Sequence, residues 1–593
     1  MLAHRFFLIT ILMKSIFILI AINLLLFYKS ISQNLYEITE ENIKSHISFL
    51  ASDKLEGRKP GTVTDSLSAD YIYNQFKNAD MSFFKNEHYQ KFEVISGVTF
   101  GSKDCKLDGQ ALKFNDEYFT HYNSPNIKLN SEIIFASYGI ETENKDIDNY
   151  NNIDVKDKWV MLVNGFPENY SNDSKQSNLA GINTKIIKAK DKGAAGVIII
   201  STEKNPLHNK YQYGLTYGLP LIIVTEKTAD LILKKSGNKI TKIIKNLSKN
   251  KKVEAFNTKT ILNANIEVIT HKVKTQNIIG YIEGSDEKLK EQFIVIGAHF
   301  DHLGFGGEES TSRMPDTIAI HNGADDNASG TAGVIELAKK IGANKSKFKR
   351  SIIVCAFSAE ELGLLGSKYF VNNLPVEKDS IVFMANFDMI GRYGETLQLL
   401  CASSAKELDS LIKISHTDTT LKIKPSLSIS GGSDHSSFYY ENIPCVFFFT
   451  GMHSDYHTPL DDIEKINFAG EKKILDYGYN LLKTIDSSSD RLTYVKSSSK
   501  EEGSSRNNMK VTLGIMPDFT SSENNGLLVG GVTKDGPAEK GGILKGDIIK
   551  AINGKKIENI YDYMTRLGEL KAGQKISVEV LRKAENITLK VQL

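Results

Sequence analysis

The spacing of apolar and polar positions changes several times along the chain, and each change marks an element. Over residues 39–50, Ile43, Ile47 and Leu50 recur at helical spacing, with Thr39 placed to cap the first turn before Asn42. Leu67, Tyr71 and Phe76 predict a second helix over 66–76. The stretch between them, Leu-Glu-Gly-Arg-Lys-Pro-Gly-Thr (55–62), is turn-rich, and reads either as a plain helix connector or as part of the rim of a site. Residues 92 to about 114 predict short strands. Strands at 131–138, 158–163, 193–201 and 219–225, with a helix at 184–192, then form a β/α block that closes near Val268. His208, Tyr211 and Tyr213 lie in a Gly/Tyr loop of this block, which is either an ordinary surface loop or one that reaches a substrate.

Beyond that block, residues 277–486 alternate strand with helix. Short apolar runs at 277–282, 293–298, 351–357, 381–387 and 444–449 predict strands, and 328–340, 361–372, 405–415 and 469–485 predict helices. Such alternation implies an α/β fold built on a mostly parallel mixed sheet flanked by helices. The Ser/Lys/Glu-rich stretch 497–508 has almost no apolar residue and predicts a linker. Residues 511–593 return to a β-rich pattern.

Length and composition sharpen this picture in a few places. A chain of 593 residues divides on average into about four domains. Lys plus Arg (73) balances Asp plus Glu (71), so nothing argues electrostatically for nucleic acid as a partner. Cys105, Cys355, Cys401 and Cys445 show no disulfide spacing, and Cys355 and Cys445 sit inside apolar runs as small buried side chains would. Residues 1–32 carry a basic start, a 13-residue apolar run at 16–28 and small residues at 30–32, which suits a signal peptide. Residues 6–28 are also about long enough for an uncleaved anchor, although Lys14 and Asn23 interrupt them. Either reading predicts an exported protein, periplasmic or extracellular. Membrane contact would come only through residues 6–28.

The chemistry gathers where the predicted strands end. His299 and Asp301 close the run 293–297, and Asp326 sits in His-Asn-Gly-Ala-Asp-Asp-Asn-Ala-Ser-Gly (321–330), which leads into a helix. Glu360 and Glu361 follow 351–357, Asp388 follows 381–387, and His457 stands in Tyr-His-Thr-Pro. Ligand sites of open α/β sheets lie at this edge. Two imidazoles, two terminal carboxylates and one bridging carboxylate are the donors a pair of metal ions needs. Asp301 is placed to orient His299, and one glutamate of the adjacent pair is left over to move a proton.

These motifs resemble the di-zinc aminopeptidase family, whose members often carry an inserted protease-associated domain. The resemblance covers about 39–95 and 270–487, and no motif position departs from it. It implies two Zn2+ per chain: Asp326 as the bridge, His299 with Asp388 on one ion, and Glu361 with His457 on the other. It makes Glu360 the general base with Asp301 supporting His299, and implies a cis peptide at Asp326–Asn327. Gly-Gly-Ser-Asp-His (431–435) resembles a substrate-side loop, making Asp434, His435 and Phe438 pocket candidates. Arg392 is either another or an ion-pair partner.

The β/α block resembles the protease-associated domain through Asp-Val-Lys-Asp-Lys-Trp-Val-Met-Leu-Val (154–163) and Lys-Gly-Ala-Ala-Gly-Val-Ile-Ile-Ile (192–200). The C-terminal unit resembles a bacterial PDZ domain, in which Leu513, Gly514 and Ile515 would receive a peptide carboxylate beside a sheet edge. The expected layout is a signal peptide or anchor (1–32), an N-terminal peptidase segment (33–115), the insert (116–268), the peptidase domain (269–487), a linker (488–510) and the PDZ domain (511–593). The implied function is hydrolysis of the N-terminal bond of peptides with a free N-terminus, with a peptide C-terminus as PDZ ligand. A carboxypeptidase or glutaminyl cyclase on the same scaffold, or a non-catalytic PDZ-dependent binding protein, are the alternatives.

Overall fold

A computed structural model describes residues 36–593 apart from 143–146, 168–176, 204, 208–215, 308–309, 427–431, 496–510, 518–525, 533–535 and 559. The expected signal segment, the linker stretch 497–508 and His208, Tyr211 and Tyr213 fall outside the described residues. Among the described residues, no helix is long and apolar enough to cross a membrane.

One 14-stranded mixed sheet runs through most of the chain. Its peptidase half holds β9 (Phe293–His299), β10 (Ser351–Phe357), β11 (Ile381–Phe387) and β14 (Cys445–Phe449), with β10, β9, β11 and β14 side by side and parallel. Every residue of β9, β10 and β11 is buried, which is why these strands read as unbroken apolar runs rather than alternating ones. β12 (Leu397–Leu400) and β13 (Ile423–Pro425) extend this half beyond β14. Helices cover both faces. They include α1 (Glu40–Leu50), α2 (Val63–Asn78), α6 (Gly330–Ala343) and α10 (Phe468–Ser487). The Thr39 hydroxyl accepts from Asn42 N at 3.1 Å, the expected cap of α1.

The second half is the β/α block. β4 (Ile127–Phe135), β5 (Trp159–Val163), β6 (Gly196–Ile200) and β7 (Leu221–Val224) are parallel, and β3 (Tyr118–Thr120) runs antiparallel on β7. Its helices are α3 (Ile182–Asp191), α4 (Glu226–Leu233) and α5 (Ile240–Leu247).

The short strands expected over 92–114 are instead mainly one strand, β1 (Tyr89–Leu107), ending in a turn to β2 (Gln110–Ala111). β1 lies antiparallel on β8 (Phe256–Ile282), which pairs with β10 at one end and β4 at the other. Much of β1 is half-exposed on both faces, so no clean alternation betrays its length, and pairing with β8 sustains it. The expected boundary at 268/269 falls inside β8. The two halves thus share backbone ladders there as well as a connection.

Helix 361–372 begins later than its pattern suggests, as α7 (Leu365–Asn372). Ala359, Gly363 and Leu364 all have positive φ, and the N–H groups of Glu360 and Glu361 turn to the Asp301 carboxylate. A tertiary contact has won over helical propensity here. Helix 405–415 likewise shortens to α8 (Leu408–Ser415). All four cysteines are buried, and none of them forms a disulfide.

The C-terminal sheet orders β15 (Ile515–Pro517), β16 (Leu527–Val532), β17 (Ile548–Ile552), β19 (Lys575–Arg582) and β20 (Glu585–Gln592), with β18 (Lys555–Lys556) on β17. It packs with α11 (Pro537–Lys540) and α12 (Ile560–Gly568). This unit does not hang free. Arg566 of α12 grips Asp191 of α3 through two N–H···O bonds of 2.6 Å each. Lys190 donates to Asp562 at 3.1 Å and to Glu558.

Candidate active site

The C-terminal ends of three adjacent parallel strands meet at one point. Phe357 pairs with His299, and Asn386 with Gly297, so β10, β9 and β11 deliver Glu360–Glu361, His299 and Asp388 to the same edge. Asp326 comes from the wide turn 324–329 that opens α6, and its peptide bond to Asn327 is cis, as the family resemblance implied. His457 arrives from the loop after β14.

All five predicted ligands and Glu360 converge. Asp326 stands in the middle: its Oδ1 is 3.3 Å from His299 Nε2 and its Oδ2 3.1 Å from His457 Nε2. Asp388 Oδ1 lies 3.4 Å from His299 Nε2. Glu361 Oε2 lies 3.1 Å from His457 Nε2. Glu360 Oε2 stands further off, 4.0 Å from His299 Nε2. Donor atoms of His299, Glu360 and Asp388 lie within 4.8 Å of one another, as do those of His302, Asp326 and Glu361.

The supporting contacts explain which atoms are free. His299 Nδ1 points back at Asp301, 3.2 Å from its carbonyl and 3.6 Å from its carboxylate. His457 Nδ1 faces Thr311 O at 3.0 Å. Each imidazole therefore turns its Nε2 towards the carboxylates. Asp301 does more than the sequence suggested, since its carboxylate also accepts from the N–H of Glu360 (3.0 Å) and Glu361 (3.3 Å). Ser433 donates to Asp388 Oδ2 at 2.6 Å and accepts from Asn386 Nδ2, which fixes the rotation of Asp388.

Electrostatics follows from this crowding. Burial works against charge on every group here. Even so, the imidazole contacts hold Asp326 well below the usual carboxylate range, and His457 holds Glu361 down to about 2. Glu360 goes the other way: burial, then the nearby carboxylates of Glu361, Asp388 and Asp434, push it well above the ordinary range. Adjacent in sequence and identical in chemistry, the two glutamates occupy opposite environments.

Several residues were missed. His302, next to Asp301, holds Glu361 Oε1 at 2.9 Å through Nδ1. Asp461 takes the N–H groups of Asp325 and Asp326 on one oxygen, both at 3.0 Å. Its position four residues after His457 was the only available signal. The substrate-side expectations need correction. Phe438 packs in the core against Phe357 and Phe370, and His435 stacks on Phe447 at 4.7 Å; both are fully buried. Asp434 is also fully buried, which pushes its carboxyl up to about 7. Gly431 lies outside the described residues. Arg392 is committed to Asp455 and Asp461, each at 3.2 Å, which makes it the ion-pair partner of its two readings. In the loop 55–62, the turn at 56–58 lies against residues 300–304 and 321–323, behind the ligand loops, so it is more than a connector.

A parallel-strand edge carrying imidazoles between carboxylates defines a site of the metal-binding type on an α/β scaffold. Residues 277–481 match the sequence model of peptidase family M28, and residues 511–593 match that of the PDZ domain. The chain thus carries an M28 peptidase domain followed by a PDZ domain. It is 30% identical over 205 residues to aminopeptidase YwaD of Bacillus subtilis (strain 168), covering 32% of this chain and 41% of the relative. Against leucine aminopeptidase 2 of Trichophyton rubrum it is 28% identical over 188 residues, covering 30% of this chain and 34% of the relative. These matches span well under two thirds of the relatives' length. An aminopeptidase from Aneurinibacillus sp. strain AM-1 shares the fold, with a TM-score of 0.50 at 20% identity, over 78% of this chain and 96% of that one.

Proposed function

We propose that this protein is an exported two-zinc aminopeptidase that hydrolyses the N-terminal bond of peptides. The observation that carries the reading is Asp326, whose two carboxylate oxygens face two different imidazoles while Glu360 keeps its distance from both. The donor set fits zinc. Asp326 Oδ2 and Asp388 Oδ1 are buried and, although an imidazole lies 3.1 and 3.4 Å from them, make no well-aligned hydrogen bond, a state that suits a cation between these groups. Imidazole and carboxylate are zinc's usual ligands in catalytic sites.

In this reading His299 and Asp388 hold one ion, His457 and Glu361 the other, and Asp326 both. His302 also approaches Asp326 and Glu361, but its Nδ1 already faces Glu361 at 2.9 Å and is 3.9 Å from Asp326. His457 Nε2 is 3.1 Å from both carboxylates, so we assign His457 as the ligand and His302 as the support of Glu361. When bound, zinc supplies Lewis acidity, polarising the scissile carbonyl and acidifying a water molecule. The rest is done by the chain. Glu360, its backbone N–H tied to Asp301, takes the proton of the attacking water and passes it to the leaving amine. Its environment, which favours the protonated form, suits a group that must hold that proton between the two steps.

Two further roles belong to this proposal. The β/α block at 116–268 acts as a protease-associated insert flanking the site. The PDZ domain takes a peptide C-terminus at Leu513, Gly514 and Ile515, next to β15, which is an edge strand of its sheet. The test is hydrolysis of a panel of aminoacyl anilides, free and N-acetylated, with zinc measured on the same sample. Cleavage of the free amines alone, by zinc-loaded protein, is the expected result. Equal cleavage of both forms, or release from the C-terminus, points to a different exopeptidase. Zinc uptake with no turnover points to a binding protein on this scaffold.

A further inference from the structure

We infer that Arg58 is a positioning residue that fixes the two ligand-bearing loops of the site in register, an inference that rests on the two-zinc reading. Arg58 is fully buried. Its Nε donates to Phe300 O at 2.7 Å, between His299 and Asp301. Nη1 donates to Asn322 O at 2.7 Å and to Leu50 O, and Nη2 to Gly323 O at 3.1 Å, just ahead of Asp325 and Asp326. One planar fork therefore ties helix α1, the loop after β9 and the turn before α6. The loop follows directly on His299, and the turn leads into the bridging Asp326.

The acceptors are all carbonyls, so this buried cation touches no carboxylate directly. Its charge is balanced through space. Burial pulls its pKa down to about 10, opposed by Asp301, Asp326, Asp461 and Glu361. A fixed positive charge thus sits near the carboxylates that would hold the metals. The backbone is shaped to put it there. Glu56, Gly57 and Arg58 are successive residues with positive φ, of 46°, 71° and 49°. A Cβ on Gly57 would come within 2.5 Å of His321 O and 2.7 Å of Gly304 O, so the turn seats against both loops only as glycine. Arg58 O and Gly57 O then accept from His302 N and Gly304 N at 3.4 and 3.1 Å. Lysine carries the charge but lacks the fork, and cannot span four carbonyls on three separate segments.

The test compares the full protein with Arg58→Lys and Arg58→Met. Zinc affinity is read by competition with a chelator of known affinity, and folding by thermal melting in excess chelator. Loss of an outer contact to a metal site typically costs 10–100-fold in affinity. We expect a loss of that size in Arg58→Met, a smaller one in Arg58→Lys, and kcat lowered more than KM in both at saturating zinc. Variants that melt lower in chelator yet bind zinc as tightly as the unaltered protein overturn the inference. So does failure of both to fold, which marks Arg58 as a structural pin alone. If the unaltered protein takes up no zinc, the functional reading falls and this role with it. If it does and the variants match it, only the role of Arg58 falls.

Discussion

His302 Nδ1 lies 2.9 Å from Glu361 Oε1, and no such contact reaches Glu360. Together with His457, that imidazole distinguishes two adjacent, identical side chains. Glu361 is held by His302 on one oxygen and faces His457 with the other, as a fixed ligand should. Glu361→Gln should therefore lose zinc from one position, with activity partly restored by added zinc. Glu360→Gln should keep both ions and the fold but lose about 10²–10⁴-fold in kcat, roughly 3–5 kcal/mol of barrier, with KM little changed. Zinc stoichiometry measured beside the kinetics decides it. Metal loss in Glu360→Gln with retention in Glu361→Gln reverses the assignment.

Removal of metal should be total in its effect. The active protein should hold two zinc ions per chain, and chelation should abolish turnover while leaving the strands of the parallel sheet in place, because their cores are apolar and lie away from the edge. Elemental analysis and circular dichroism before and after chelation are the measurements. Full activity in metal-free protein contradicts the proposed mechanism.

The PDZ domain is anchored, and the anchor is ionic. Arg566 is 2% exposed and bonded to Asp191 on both terminal nitrogens. Charge reversal at either residue alone should loosen the PDZ unit, since it removes a two-bond charge-assisted pair and sets like charges against each other beside the buried Arg566 position. The double reversal Asp191→Arg with Arg566→Asp should recover part of that loss. Limited proteolysis within 496–510 reports the release. Deleting 511–593 should leave turnover of a small anilide nearly unchanged, because every proposed ligand and Glu360 lie outside it. Loss of most turnover would mean the PDZ unit helps to build the site.

Lys185 supplies a pH signature away from the site. It is buried in the β/α block, bonded to Val163 O at 3.1 Å and Gly165 O at 2.6 Å, and burial lowers its pKa to about 7. An unfolded lysine titrates near 10.4. Between those values the unfolded chain binds a proton that the folded one does not, so stability contributed through Lys185 rises with pH over about 7 to 10. Lys185→Met should flatten that part of the stability–pH curve relative to the unaltered protein. Urea unfolding of both proteins at pH 7 and pH 9.5 measures the difference, and identical slopes reject it.

The sequence alone determined the parts that depend on local pattern. Buried parallel strands leave unbroken apolar runs, so β9, β10, β11 and β14 were each legible, and so were the polar residues at or just past the ends of the first three. That is why His299, Glu360, Glu361 and Asp388 could be found without a structure. Tertiary structure decided whatever depended on contacts between distant segments. The 27-residue β8 is long because β1, β4 and β10 all pair with it, and nothing local records that. The late start of α7 goes with the positive-φ turn at Ala359, Gly363 and Leu364, in which Asp301, some sixty residues earlier, holds the N–H groups of Glu360 and Glu361. Phe438 and His435 looked like pocket residues from their neighbours in sequence, and packing against Phe357, Phe370 and Phe447 made them core. Periodicity records which face of a segment is buried, but not which other segment buries it, and the roles of His302, Asp461 and Arg58 are set by that second fact.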